Sequence, residues 1–200
     1  MAPRDARRGW LSSAALLAAT VMGCSSPAAD PTGDRFTALP DICGLVSPAT
    51  IHAFVGERAR TDPFDIEDTG SCTWIHRNRD VDTENTKPFE RVLSLNVVVH
   101  RTVGTASGSD TAKLHQRMQS DDMPGALTDE PGIGDGAMLY ALDGQSDAII
   151  TADNLYLWIT YSGRDFNPVG EPVSISRQQA TEVAILTARE ITQRLERLPR

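Results

Sequence analysis

Four histidines and three cysteines are the side chains of this 200-residue chain best suited to chemistry near neutral pH. His76 and His100 stand at the ends of two predicted strands. That placement makes them candidates for a shared metal, or for the acid and base of a hydrolase. His52 and His115 fall in helical stretches with polar neighbours and are expected at the surface. Cys43 and Cys72 lack the close Cys-x-x-Cys spacing that a zinc site would use. Asp65, Glu67 and Asp68 invite a calcium reading, but no glycine and no distal glutamate stand where an EF-hand loop needs them, so residues 57–70 read as a solvated acidic loop. Gly132, Gly134 and Gly136 superficially look like a phosphate loop. They lack a lysine and lead into a predicted strand rather than a helix, so they read as turn glycines. No serine occupies a Gly-x-Ser-x-Gly elbow. The sequence therefore nominates no catalytic residue, no metal ligand set and no cofactor.

Before any of these groups can act, the first residues decide where the chain works. Arg4, Arg7 and Arg8 precede an apolar run over residues 11–22, about a dozen long against the roughly 20 that a spanning helix requires. Val21-Met22-Gly23-Cys24 closes the run and resembles the lipobox of bacterial lipoproteins, in which the cysteine is diacylated and becomes the new first residue. The resemblance implies a signal peptide over 1–23, a lipid on Cys24 as the membrane partner, and a cell-membrane location on the extracytoplasmic side. Residues 24–39 are Ser, Pro, Ala, Asp, Thr and Gly with little to bury, a tether whose flexible reach is roughly 20 Å. Residues 40–200 are long enough for one domain.

Charge narrows the partners. The chain has 19 basic and 27 acidic side chains, and three of the arginines lie in the leader, so the exported part is more acidic still. Such a charge disfavours nucleic acid as a partner. With Cys24 lipidated, Cys43 and Cys72 are left in an oxidising compartment, where they are expected to form a disulfide; free buried thiols are the alternative. The 29-residue separation corresponds to about 3.6 kcal/mol of chain-entropy stabilisation.

Alternation and capping signals supply the scaffold. Ser47 caps a short helix that starts at Pro48 and stops at Gly56. Strands are predicted over 71–77, with Cys72, Trp74 and His76 on one face, and over 91–101, with Leu93, Leu95, Val97 and Val99 on one face. Residues 78–90 read as an exposed loop. A second helix over 107–119, with a stripe of Ala112, Leu114 and Met118, should lie against an edge of the sheet. Strands over 137–142, 145–152 and 155–161 follow, joined by Asp143-Gly144 and Asp153-Asn154 turns, with a loop over 163–172. Both faces of the last strand carry apolar residues, and Tyr156 and Trp158 are the candidate ligand surface. Ser176 opens a long closing helix with Ala180, Val183, Ala184, Ala188, Ile191, Leu195 and Leu198 inward, and Glu182, Glu190, Arg194 and Arg197 on the wet side. The fold class is α+β: a single domain with a mainly antiparallel sheet of five or more strands, a long C-terminal helix on one face and a short N-terminal helix.

The order of these features resembles a group of actinobacterial lipoproteins built on a domain of unknown function. Lipobox, tether, a Cys-Gly-Leu segment leading into a Ser-Pro helix, and then a Cys-x-Trp strand are shared, carried here by Cys43, Cys72 and Trp74. Gly132, Gly134, Asp135 and Ala137 match that group's Gly-x-Gly-Asp-x-Ala loop. The resemblance implies an exported, disulfide-bonded module and hands over no catalytic residue. Tether, disulfide and the surplus aromatics of the sheet point to a non-enzymatic binding or accessory role, toward a small molecule or an envelope protein. An envelope hydrolase or metal-binding protein using His76 and His100 is one alternative, and a structural or regulatory partner of an envelope protein, reached through loops 57–70 and 78–90, is the other.

Overall fold

The computed structural model describes residues 33–78 and 88–199. The leader, Cys24, most of the tether and most of the 78–90 loop lie outside the described residues. The elements run α1 (Pro48–Phe54), β1 (Arg60–Ile66), β2 (Thr69–Asn78), β3 (Phe89–Val99), α2 (Gly108–Asp121), β4 (Thr128–Asp129), β5 (Gly136–Leu142), β6 (Gln145–Ala152), β7 (Leu155–Phe166), β8 (Pro172–Ser174) and α3 (Arg177–Arg197). One antiparallel sheet holds all eight strands in the order β1-β2-β3-β7-β6-β5-β4, with β8 added on β7. The class is α+β, as the sequence predicts.

Period-two alternation explains the central strands. Leu93, Leu95, Val97 and Val99 of β3 register with Tyr161, Ile159, Leu157 and Leu155 of β7, and all eight are buried on one face. Cys72, Trp74, Ala148, Ile150, Ala137 and Leu139 extend that face across the sheet. The long helix α3 covers it with Ala180, Val183, Ala184, Ala188, Ile191 and Leu195. A Ser at each N-cap starts its helix: Ser47, Ser107 and Ser176 accept main-chain N–H bonds from Thr50, Asp110 and Gln179.

The N-terminal strap crosses the same face lengthwise. Phe36 N–H donates to Asn154 Oδ1 (2.9 Å) and Asn154 Nδ2 donates back to Phe36 O (2.8 Å), so a side chain stands in for a missing strand. Arg35 donates to Asp153 and to Leu195 O, and Asp34 accepts from Thr102 and Gly108. The strap then reaches a single 3-10 turn (Cys43–Leu45), where the Cys43–Cys72 disulfide ties it to β2.

Three expectations are corrected. Residues 57–70 are not an open loop: β1 is a fully exposed edge strand paired with β2 from Arg60↔Ile75 to Ile66↔Thr69. An edge strand has a neighbour on one side only, so it tolerates Pro63 and an acidic composition. The 163–172 loop is shorter than predicted, because β7 continues to Phe166 and β8 begins at Pro172. Helix α2 does not lie at an edge. It packs over β6 and β7 on the face opposite α3, with Gly108, Ala112 and Gln116 buried, while Leu114 and Met118 are 49% and 60% exposed. Gln116 Nε2 explains the inversion, since it donates to Gly136 O and Ile149 O at 3.0 Å each.

Candidate functional site

His76 and His100 do not meet. His76 registers with Arg91 near the start of β3, whereas His100 follows its last residue, so roughly 30 Å of strand separates them. A shared metal or an acid-base pair from these two is thereby ruled out as read. Among the described residues, no group of three or more His, Cys, Asp or Glu side chains is placed to hold a metal ion.

His100 instead finds His115. Its Nε2 lies 3.1 Å from His115 Nδ1, and the His115 ring stacks on Tyr156 with centroids 3.9 Å apart. His115 is therefore half-buried rather than at the surface as predicted. Burial lowers the pKa of both rings, and for His100 the neighbouring His115 charge lowers it further. The pair fastens α2 to the sheet.

That packing also divides the candidate aromatic surface. Tyr156 is 3% exposed beneath His115, and its buried hydroxyl has no hydrogen-bond partner among the described residues. Burial and the nearby Asp147 push its pKa up. Tyr156 is a packing residue, not an open ligand surface. Trp158 is half-buried; its indole N–H donates to Asp147 Oδ1 at 3.0 Å, and Thr160 Oγ1 donates to the same oxygen at 2.6 Å. One ring of the two keeps a solvent-facing part.

Glu190 also departs from its predicted wet face. Its carboxylate accepts from Ser47 N–H (3.0 Å) and Thr50 Oγ1 (2.5 Å), joining α3 to the first turn of α1. Those hydrogen bonds hold the carboxyl below its ordinary pKa against the opposing effect of burial. Anchored this way, α1 ends at one corner of the sheet and forms a wall there.

That corner holds a cleft of about 730 Å³, lined by residues from the end of α1, the 56–60 turn, β2 and the start of β3. Gly56 makes it possible. It sits at φ +120°, and a Cβ there would come within 2.1 Å of His76 Nδ1. His76 packs edge-on against Phe89, 4.8 Å between centroids, and Phe89 and Ile75 supply half-buried apolar lining. Arg58, Arg60 and Arg77 supply positive charge. Sequence reading missed this site because its arginines are scattered through an acidic stretch and form no motif. The Gly132–Gly136 loop, by contrast, is closed by the sheet: Asp135 N–H donates to Thr151 O, and a Cβ on Gly134 would meet that oxygen at 2.4 Å.

No protein family, curated protein or solved structure matches the chain.

Proposed function

We propose that this chain is a lipid-anchored, extracytoplasmic module of the cell envelope that works by binding rather than by catalysis. The signal-peptide pattern ending at Cys24, the resemblance to actinobacterial lipoproteins and the Cys43–Cys72 disulfide support the location. One observation carries the binding role. The strap enters at the Val99 and Asn154 end of the sheet, and the cleft opens at the Phe89 end, so a tethered domain would hold its cleft away from its attachment.

The test has two readouts. Cys24→Ser should move the chain from the membrane fraction to the soluble fraction of the exporting cell. Native mass spectrometry of that released chain should show a reproducible adduct. Retention in the membrane overturns the anchor, and a bare mass at every purification overturns capture of a tightly held small molecule.

A second reading, docking to an envelope protein, is favoured by one feature. Phe64 and Ile66 on the edge strand β1 are 60% and 59% exposed on the same sheet face as Ile75. Crosslinking from position 64 that captures one protein, lost with Phe64→Ser, would select it over small-molecule capture.

A further inference from the structure

Three arginines converge on one cleft of a chain whose net charge is −8. Their anionic neighbours are already engaged. Glu57 Oε1 bonds His52 Nε2 at 3.0 Å, and that bond, with the nearby Arg58, holds the Glu57 carboxyl below its ordinary pKa. Glu90 bonds Arg77 Nε at 3.0 Å with one oxygen and Arg164 Nη2 at 2.7 Å with the other, which leaves the remaining Arg77 nitrogens for other acceptors. Among the described residues neither Arg58 nor Arg60 is in salt-bridge contact with a carboxylate, although Arg58 lies near enough to Glu57 to act on its charge. Among the described residues, the lining therefore carries the guanidinium groups of Arg58, Arg60 and Arg77 and the carboxylate of Glu57, with Glu90 beside Arg77.

Beside Arg60 and Arg77, on the same sheet face, lies the apolar side chain of Ile75, while Phe89 stands on the opposite face with His76. Strand β1 begins at Arg60, opposite Ile75, so β1 does not run alongside His76 and Arg77. Main-chain groups of His76 and Arg77 on that side add directional donors and acceptors to the site. A volume of about 730 Å³ suits a small organic ligand rather than a bare ion.

We propose that the cleft binds an organic phosphate, its phosphoryl group held by Arg58, Arg60 and Arg77 and its apolar part on Ile75. The proposal rests on the binding-module reading and names the ligand class. Phosphate is favoured over carboxylate by charge and shape. A monoester carries about two negative charges and three acceptor oxygens, which match two uncompensated cations and forked guanidinium donors. A soluble phosphate ester and a phospholipid headgroup share this chemistry.

The experiment uses the full chain with Cys24→Ser, recovered from the exporting cell. Phenyl phosphate is titrated into it and followed by proton–nitrogen NMR. Shifts should be confined to amides of residues 56–60 and 75–78. Arg58→Glu with Arg60→Glu should weaken binding about tenfold or more, while Arg117→Glu on α2 leaves it unchanged. Arg58→Gln with Arg60→Gln serves if charge reversal disturbs the spectrum elsewhere. Benzoate and benzyl alcohol should bind much more weakly. Phosphatidylcholine vesicles with and without phosphatidic acid then separate the sources: co-flotation only with phosphatidic acid selects a headgroup, and none selects a soluble ester. Equal binding by the double variant, shifts scattered over the surface, equal binding of benzoate, or no binding at millimolar phenyl phosphate overturns the proposal. A native-mass adduct that persists in the double variant, with phenyl phosphate silent, removes the phosphate class and leaves the binding module standing.

Discussion

His100 Nε2 and His115 Nδ1 face each other at 3.1 Å, one at the end of β3 and the other on α2, so at least one ring must be neutral for the contact to exist. Burial lowers both pKa values, and the folded protein therefore binds fewer protons here than the unfolded chain. The sign is fixed by that difference: stability is full above the ordinary histidine value of about 6.5 and falls as pH drops below it. Urea unfolding at pH 7.5 and 5.5 should give a lower midpoint at pH 5.5. The double variant His100→Gln with His115→Gln should flatten this dependence. An unchanged slope would show that other groups set it.

Tyr156 separates packing from binding. Its hydroxyl is buried without a partner among the described residues, so Tyr156→Phe should leave stability unchanged or raise it by up to about 1 kcal/mol. Tyr156→Ala should cost about 3 kcal/mol, because the ring fills space between β7 and His115. Thermal melts of the two variants check this. Comparable losses would mean that the hydroxyl contributes to stability.

Cys43 and Cys72 should be found oxidised, two mass units below the reduced chain in intact-mass spectra. Cys43→Ser with Cys72→Ser should lower unfolding free energy by about 3 to 4 kcal/mol. A loss under about 1 kcal/mol would mean that the strap is held without the bond.

Glu190→Gln keeps the shape of the side chain and removes its charge. It should cost about 1 to 2 kcal/mol, through weakened bonds from Ser47 N–H and Thr50 Oγ1. Because Glu190 holds α1, hydrogen exchange of the Ile51 and Val55 amides should accelerate with the variant. Exchange unchanged in α1 would contradict the link.

Asn154→Ala removes both bonds to Phe36 and the one that Asn154 donates to His100 O at 2.7 Å. Exchange of the Phe36 amide should rise by at least about tenfold, equivalent to about 1.4 kcal/mol, while amides in the centre of β3 hold. Uniform acceleration over the whole sheet would instead mean that Asn154 supports global stability.

Where one physical signal dominates, the sequence reveals the structure. β3 and the first part of β7 alternate between a buried and an opposite face, and α3 has its Ser176 cap and its inward stripe as far as Leu195, with Leu198 exposed past its end, so all three lie close to their predicted places. β1 was hidden because it buries none of its residues and contains Pro63. The inward face of α2 was misjudged because Gln116 reaches main-chain oxygens of Gly136 and Ile149, a contact that hydrophobic periodicity does not register. The candidate site was half-visible. Tyr156 and Trp158 were singled out for their ring chemistry, but only the packing of His115 distinguishes them. The cleft depends on Gly56 allowing His76 to close against Phe89, a steric relation between residues far apart in the chain.

The strap also determines how the domain bears force. A pull arriving along the chain at Gly33 meets Asp34 on Thr102 and Gly108, Arg35 on Asp153 and Leu195 O, and Phe36 on Asn154. These grips sit within three consecutive residues and share the load. Behind them the Cys43–Cys72 bond is a covalent stop. The cleft lies farther along the chain than that bond, at the end of the sheet opposite the strap's first grips.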